Sequence, residues 1–161
     1  MIDNNKHMSV FGIGPLMVTP VMVTVILIFV LNFYNFIPKY EIISLNWLLM
    51  ILGFLIIING AVYWISAVTS SIYHKIKSTI LVTTGVYGIV RHPIYAAFLY
   101  FATGLILISN NIYLFVLPIV YWVFFSVVLK NTEEKMLISV YGQDYLDYSK
   151  NVNRFIPKMV K

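Results

Sequence analysis

Two short polar stretches of this 161-residue chain hold most of the side chains that could do chemistry. One ends in Arg91-His92-Pro93-Ile94-Tyr95. The other opens on Lys130-Asn131-Thr132-Glu133-Glu134 and runs past Arg154. Together they contain both arginines, four of the six acids, and His74 and His92. Pro93 suits the first position of a helix, because its φ is preset and no needed donor is lost. His92 then sits at the helix boundary, where free N–H groups and the dipole favour an anion. Arg91 adds a fixed charge at the same point, and a ligand carboxylate would be well received there. The pair also reads as a membrane flank, with Arg91 on phosphate headgroups and His92 capping the helix.

In the second stretch, Thr132 is placed to cap a helix that carries Glu133 and Glu134 in its first turn, where negative charge suits the dipole. Met136, Leu137, Val140 and Tyr141 follow at helical spacing and give an apolar stripe before Gly142. This describes an amphipathic helix lying on the bilayer, except that adjacent acids are repelled by anionic lipid. Tyr141, Tyr145 and Tyr148 share one face if the helix continues through Gly142, and an interfacial aromatic belt accounts for them. Val152 to Pro157 is a short apolar cluster around Arg154, suited to docking back onto the helices. Gly85 and Gly88, upstream of Arg91, allow tight turns. His7 and His74 lack supporting neighbours and read as surface residues.

The elements that must position these residues are apolar. Hydrophobic residues make up 60% of the chain and charged residues 11%, with a mean hydropathy of +0.87. Soluble domains are about 25% charged, so this composition describes an all-α polytopic membrane protein. Four apolar stretches stand out, at about Leu16 to Phe36, Leu45 to Val68, Ile94 to Ile108 and Ile112 to Leu129. About 20 helical residues cross a bilayer core. The first two are long enough alone, and the first lacks a signal-peptide cleavage pattern and is expected to be retained. The third is short, and only Asn110 and Asn111 separate it from the fourth, which predicts a tight hairpin. Pro118 is expected to kink the fourth helix.

The chain thus reads as one membrane domain over 1–161. Two transmembrane helices occupy 16–68, and the loop, hairpin and tail occupy 69–161. No charge lies within the four stretches, which argues against an ion or proton pathway. Counting Lys and Arg by loop gives ten against Lys39 alone, placing both termini and the polar segments on the cytoplasmic side. The net charge of +5 belongs to this topology and to anionic membrane lipid. No nucleic-acid motif accompanies it. Absence of cysteine removes thiolate metal sites and a cysteine nucleophile, and no metal is expected.

Taken together, Thr84-Gly85-x-Tyr87, Arg91-His92-Pro93-x-Tyr95, Glu133-Glu134-x-x-Leu137, Tyr141-Gly142-x-x-Tyr145-x-x-Tyr148 and Arg154-x-Ile156-Pro157 resemble the isoprenylcysteine carboxyl methyltransferase and phospholipid methyltransferase superfamily. The resemblance covers about Leu81 to Pro157. Val86, Gly88 and Ala97 depart from it, standing where such families usually have Pro, a basic residue and Gly. It implies a membrane methyltransferase using S-adenosylmethionine in a cytoplasmic-facing pocket formed by loop, hairpin and tail. By the same analogy, His92, Tyr95, backbone at Gly85 to Tyr87, and one or both of Glu133 and Glu134 would hold the cofactor. Its sulfonium, ammonium and ribose want acceptors, and its carboxylate wants Arg, His or helix N–H groups.

Methyl transfer is a direct displacement, so positioning dominates. A carboxylate acceptor, as in isoprenylcysteine or a similar prenyl amphiphile, is already ionised and needs only orienting by Arg154 or Arg91. A phospholipid or isoprenoid-lipid amine would need a base, for which Glu134 is the candidate. Either substrate's apolar tail would enter from the bilayer between helices. A membrane reductase taking NADPH through Lys75 or Lys77, and a non-enzymatic four-helix protein, are the more distant readings. Oligomeric state is not readable from the sequence.

Overall fold

The computed structural model describes residues 14–75 and 81–158. Lys6, His7 and Lys77 lie outside that range, as do the side chains of His74 and Lys75. Seven α-helices follow in order among the described residues: α1 (Gly14–Phe33), α2 (Asn46–Lys75), α3 (Val86–Ile89), α4 (Pro93–Ser109), α5 (Leu117–Asn131), α6 (Glu133–Tyr141) and α7 (Gln143–Asn151). Three helical runs, Leu16–Phe33, Ile43–Ser70 and Ile112–Tyr141, are long and apolar enough to cross a membrane, and Pro93–Ser109 is a shorter apolar helix. This is the expected all-helical polytopic architecture. At 17 residues, α4 is about 25 Å long by helical rise.

Helix α4 is the centre of the bundle, packed against α1, α2 and α5. Lipid is as apolar as leucine, so helices associate in it through close packing rather than through escape from water. The α2–α4 seam shows how. A Cβ on Gly53 would stand 2.7 Å from the Gly104 carbonyl oxygen, and one on Gly104 2.6 Å from that of Gly53. One on Gly60 would stand 2.9 Å from the Ala97 carbonyl oxygen. Small residues seven apart on both helices therefore let the backbones touch. The close approach at Ala97, where related families place glycine, is made here by Gly60 across the seam. On the other side Val18, Val21 and Val25 of α1 are buried, and Tyr121, Phe125 and Leu129 of α5 turn inward at four-residue spacing.

Two local expectations are corrected. Pro118 lies in the first turn of α5, which starts at Leu117 after a 3-10 turn over Ile112–Leu114. In a first turn its missing N–H costs no helical bond, so it begins the helix rather than kinking it. Thr132 ends α5 as well as preceding α6, and its hydroxyl donates to the Val128 carbonyl at 2.7 Å instead of capping α6.

At the end of the bundle away from α6 and α7, asparagines fasten the α1–α2 connection to the α4–α5 turn. Buried Asn111 donates to Asn32 (2.8 Å) and to the Pro38 carbonyl (3.0 Å). Asn110, which turns the chain at φ 44, accepts from the Ile42 N–H and donates to Asn46.

Candidate active site

The loop before α4 and the end of the tail pair as backbone. Val90 and Asn153 form a parallel bridge. The Arg91 N–H donates to the Asn153 carbonyl at 2.8 Å, and that of His92 to the Arg154 carbonyl at 3.1 Å. This pairing brings together side chains that are far apart in the sequence.

Glu134, on the first turn of α6, is at the middle of the cluster with its side chain 8% exposed. Its Oε1 accepts from Arg91 (3.1 Å) and from Arg154 Nε (2.8 Å), and its Oε2 accepts from Arg154 Nη2 at 2.6 Å. His92 Nε2 is 3.3 Å from Oε1. Arg154 grips the carboxylate with two donors, the geometry that a guanidinium fork favours. The hydrogen bond to Glu134 raises the already high pKa of Arg154 further. Arg91 also donates to the Ser149 carbonyl at 2.8 Å.

Glu133 faces the other way. Its Oε1 accepts from the Tyr95 hydroxyl at 2.5 Å, and its Oε2 lies 3.6 Å from His92 Nδ1. Thus His92, the boundary residue of α4, does not cap its helix. It lies between the two glutamates, with one ring nitrogen toward each.

Of the expected site residues, Arg91, His92, Tyr95, Glu133, Glu134 and Arg154 converge. Gly85 and Tyr87 stand earlier in the loop. Gly85 adopts φ +62, and a Cβ there would touch nothing within 4 Å, so glycine serves the conformation and not the space. The link from this part of the loop to the cluster runs through α7. Tyr148 donates to the Tyr87 carbonyl at 2.6 Å, and the following residue's carbonyl receives Arg91.

Tyr145 and Tyr148 are therefore packed into the site rather than set in a membrane belt. Gly142, at φ 55, separates α6 from α7, so Tyr141 does not continue the face of Tyr145 and Tyr148. Tyr145 is buried, and burial followed by the Glu134 charge pushes its phenol up to about 12. Burial raises Tyr148 as well. Phe155 is a contact that sequence reading did not single out. It is fully buried between the rings of His92 and Phe125, and its carbonyl accepts from Tyr100. The apolar character of Val152 to Pro157 was the available signal.

Among the described residues, two buried polar atoms, Arg91 Nε and the Tyr145 hydroxyl, meet no partner at good hydrogen-bonding geometry, the Tyr145 hydroxyl lying close to Glu134. Beside the cluster lies a groove of about 660 Å³. Its walls come from α2, α4 and α5, including Leu55, Leu99, Ile119 and Trp122, and Ile156 and Pro157 of the tail complete it.

Residues 42–144 match the sequence profile of the family described as "Phospholipid methyltransferase", well over half of the chain. The chain belongs to the phospholipid methyltransferase family. Its curated relatives include a protein-S-isoprenylcysteine O-methyltransferase of Schizosaccharomyces pombe, 40% identical over 82 residues, covering 50% of this chain and 34% of that protein. The Saccharomyces cerevisiae enzyme of the same name is 38% identical over 84 residues, 52% of this chain and 35% of that one. Protein-S-isoprenylcysteine O-methyltransferase A of Arabidopsis thaliana is 31% identical over 121 residues, 70% of this chain and 61% of its own length. This member of the phospholipid methyltransferase family thus aligns with only about a third of the two yeast relatives. The family match ends shortly after Glu134, so the segment bearing Arg154 lies beyond it.

Proposed function

We propose that this chain is an S-adenosylmethionine-dependent methyltransferase acting at the cytoplasmic membrane face, on the carboxylate of isoprenylcysteine or a similar amphiphile. The carrying observation is the convergence of two arginines, a histidine, a tyrosine and two glutamates beside an apolar groove, in a member of this family. The relatives' names favour the carboxylate.

The cofactor's chemistry fits the donor set. The buried Arg91 Nε–H and Tyr145 hydroxyl meet no well-aligned partner among the described residues, and they are the kind of groups an anionic or oxygen-bearing ligand satisfies. Glu133, His92 and Tyr95 supply the acceptor and donors on the opposite side. When bound, the cofactor supplies a methyl group on a sulfonium, open to displacement. The protein's part is to bind, orient and exclude water.

Glu134 differs from Glu133 in what it has left to offer. Its oxygens already receive both guanidinium groups and face His92. It therefore acts as a positioning residue that sets Arg91 and Arg154 in place, not as a base. Arg154 has its side chain 30% exposed, which leaves donors free to orient a substrate carboxylate. An amine acceptor would turn to Glu133.

Calorimetric titration of the detergent-solubilised protein with S-adenosylhomocysteine, with NADPH as control, tests the reading. Binding is expected, with His92→Ala weakening it by at least about 1 kcal/mol, the scale of one charge-assisted hydrogen bond. Failure of a folded protein to bind, or binding of NADPH instead, overturns the assignment in favour of the reductase or non-enzymatic readings.

A further inference from the structure

The apolar groove carries an amide and a phenol that no described residue satisfies. Asn59 and Tyr63 are one helical turn apart on α2, and both line the groove. Neither makes a hydrogen bond to any described residue, and the Trp122 indole N–H makes none either, whereas two other polar side chains of the groove do. Thr103 donates to the Leu99 carbonyl, and Tyr100 donates to the Phe155 carbonyl. The ring of Tyr63 is held edge-on against Tyr100, with centroids 5.5 Å apart, so its position is fixed although its hydroxyl is free. Around the pair the walls are aliphatic or aromatic: Leu55, Ile56, Leu99, Ile119 and Trp122.

A polar side chain at membrane depth is costly without a partner and marks function more often than packing. Asn59 is exposed and Tyr63 half-buried on an α2 apolar enough to cross a membrane, so within a bilayer their partners must come from what fills the groove. A purely hydrocarbon chain in the groove would leave the Asn59 amide and the Tyr63 hydroxyl unpaired in an apolar medium.

We propose that Asn59 and Tyr63 form a hydrogen-bonding subsite part-way along the groove. It selects an amphiphile whose chain carries a neutral oxygen, a hydroxyl or carbonyl, at that depth. The depth follows from the helix seam. Gly60, next to Asn59, meets α4 at Ala97, four residues or about 6 Å of helical rise beyond Pro93 and the charged cluster. An anionic head at Arg154 therefore places the oxygen roughly five to eight carbons down the chain, for a zigzag of carbon–carbon bonds about 1.52 Å long and the reach of the arginine. The subsite rests on the proposed function for where the head sits. The amide–phenol pair does not depend on the methyl transfer.

The test uses stearic acid and its 5-, 7-, 10- and 12-hydroxy isomers as radiolabelled probes, in equilibrium binding to the full chain in detergent micelles. All five present the same carboxylate. The 5- or 7-hydroxy isomer should bind about five- to tenfold more tightly than stearate, the range of one net hydrogen bond. Asn59→Leu should abolish that preference while leaving stearate binding and S-adenosylhomocysteine binding unchanged. Tyr63→Phe should reduce it in part. Equal binding of all isomers, or no binding of any acid, overturns the subsite. So does an Asn59→Leu variant that changes the oligomeric state, because Asn59 then serves a contact between copies. Loss of S-adenosylhomocysteine binding in every form, with the isomer preference intact, would instead overturn the methyltransferase reading alone.

Discussion

Replacing Glu134 by Gln keeps the shape of the side chain and removes the one negative charge between two guanidinium groups. The neutral amide retains a single acceptor oxygen and turns an NH₂ toward an arginine donor. Side chains of Glu134 and Arg91 are both only 8% exposed, so Arg91 cannot recover solvation by turning outward. Breaking a buried ion pair from one side costs about 3–5 kcal/mol. The lower end applies here, because Arg154 is 30% exposed and can reach water, and Arg91 keeps its bond to the Ser149 carbonyl. A loss of about 3 kcal/mol lowers the melting temperature of a chain this size by about 6–12 °C.

Glu133→Gln is the matched control one residue away. The amide oxygen still accepts from Tyr95, and only the 3.6 Å approach to His92 Nδ1 loses its charge. Its cost should stay below about 1 kcal/mol. Tryptophan-fluorescence melting in detergent compares the two directly. Equal shifts for both variants, or a Glu134→Gln shift under about 2 °C, would refute the assignment of Glu134 as the anchor of the cluster.

The other expectations concern the seam and the tail. Gly104→Leu places a side chain where a Cβ already meets Ile57 Cγ1 at 2.5 Å and the Gly53 carbonyl at 2.6 Å. It should cost about 1–3 kcal/mol or more by overpacking, read as a lower melting temperature. Gly85→Ala acts through φ alone and should be milder, about 1 kcal/mol. For Tyr145, the folded pKa of about 12 lies above its ordinary value of 10, so its stabilising contribution is full below pH 10 and is lost as pH rises through 12. Tyr145→Phe should thus melt much like the wild type at pH 8 and fall less steeply between pH 10 and 12. Parallel alkaline limbs for the two proteins would contradict this.

Much of the fold was legible because hydropathy reports it directly. Uncharged runs of about twenty residues marked the helices, and two adjacent asparagines marked the hairpin turn. Pro118 was misread because a proline inside an apolar run looks the same whether it interrupts a helix or starts one. The tyrosines of α7 were misread for a related reason. Aromatic side chains at helical spacing suit a lipid interface and a packed loop equally, and their partner, the Tyr87 carbonyl, is a backbone group without a sequence signature. The pairing of Glu134 with Arg91 spans 43 positions and depends on a backbone bridge that no local pattern encodes. Residue types pointed to the cluster, while its internal division, with Glu134 enclosed and Glu133 turned to Tyr95, came from the three-dimensional arrangement.

The short backbone bridge between Val90 and Asn153 also has a topological consequence. Two segments joined by direct hydrogen bonds must lie on the same side of a bilayer, so the chain between them crosses it an even number of times. Helices α4 and α5 therefore both traverse the membrane or both stay out of it, and the modest length of α4 cannot be taken as grounds for leaving it alone on one side. The same parity binds the orientation signals together. Arg91, Lys130, Lys135, Lys150, Arg154 and Lys158 belong to the described loop and tail that this bridge ties into one face. Inverting the protein in the membrane would have to carry all six across at once.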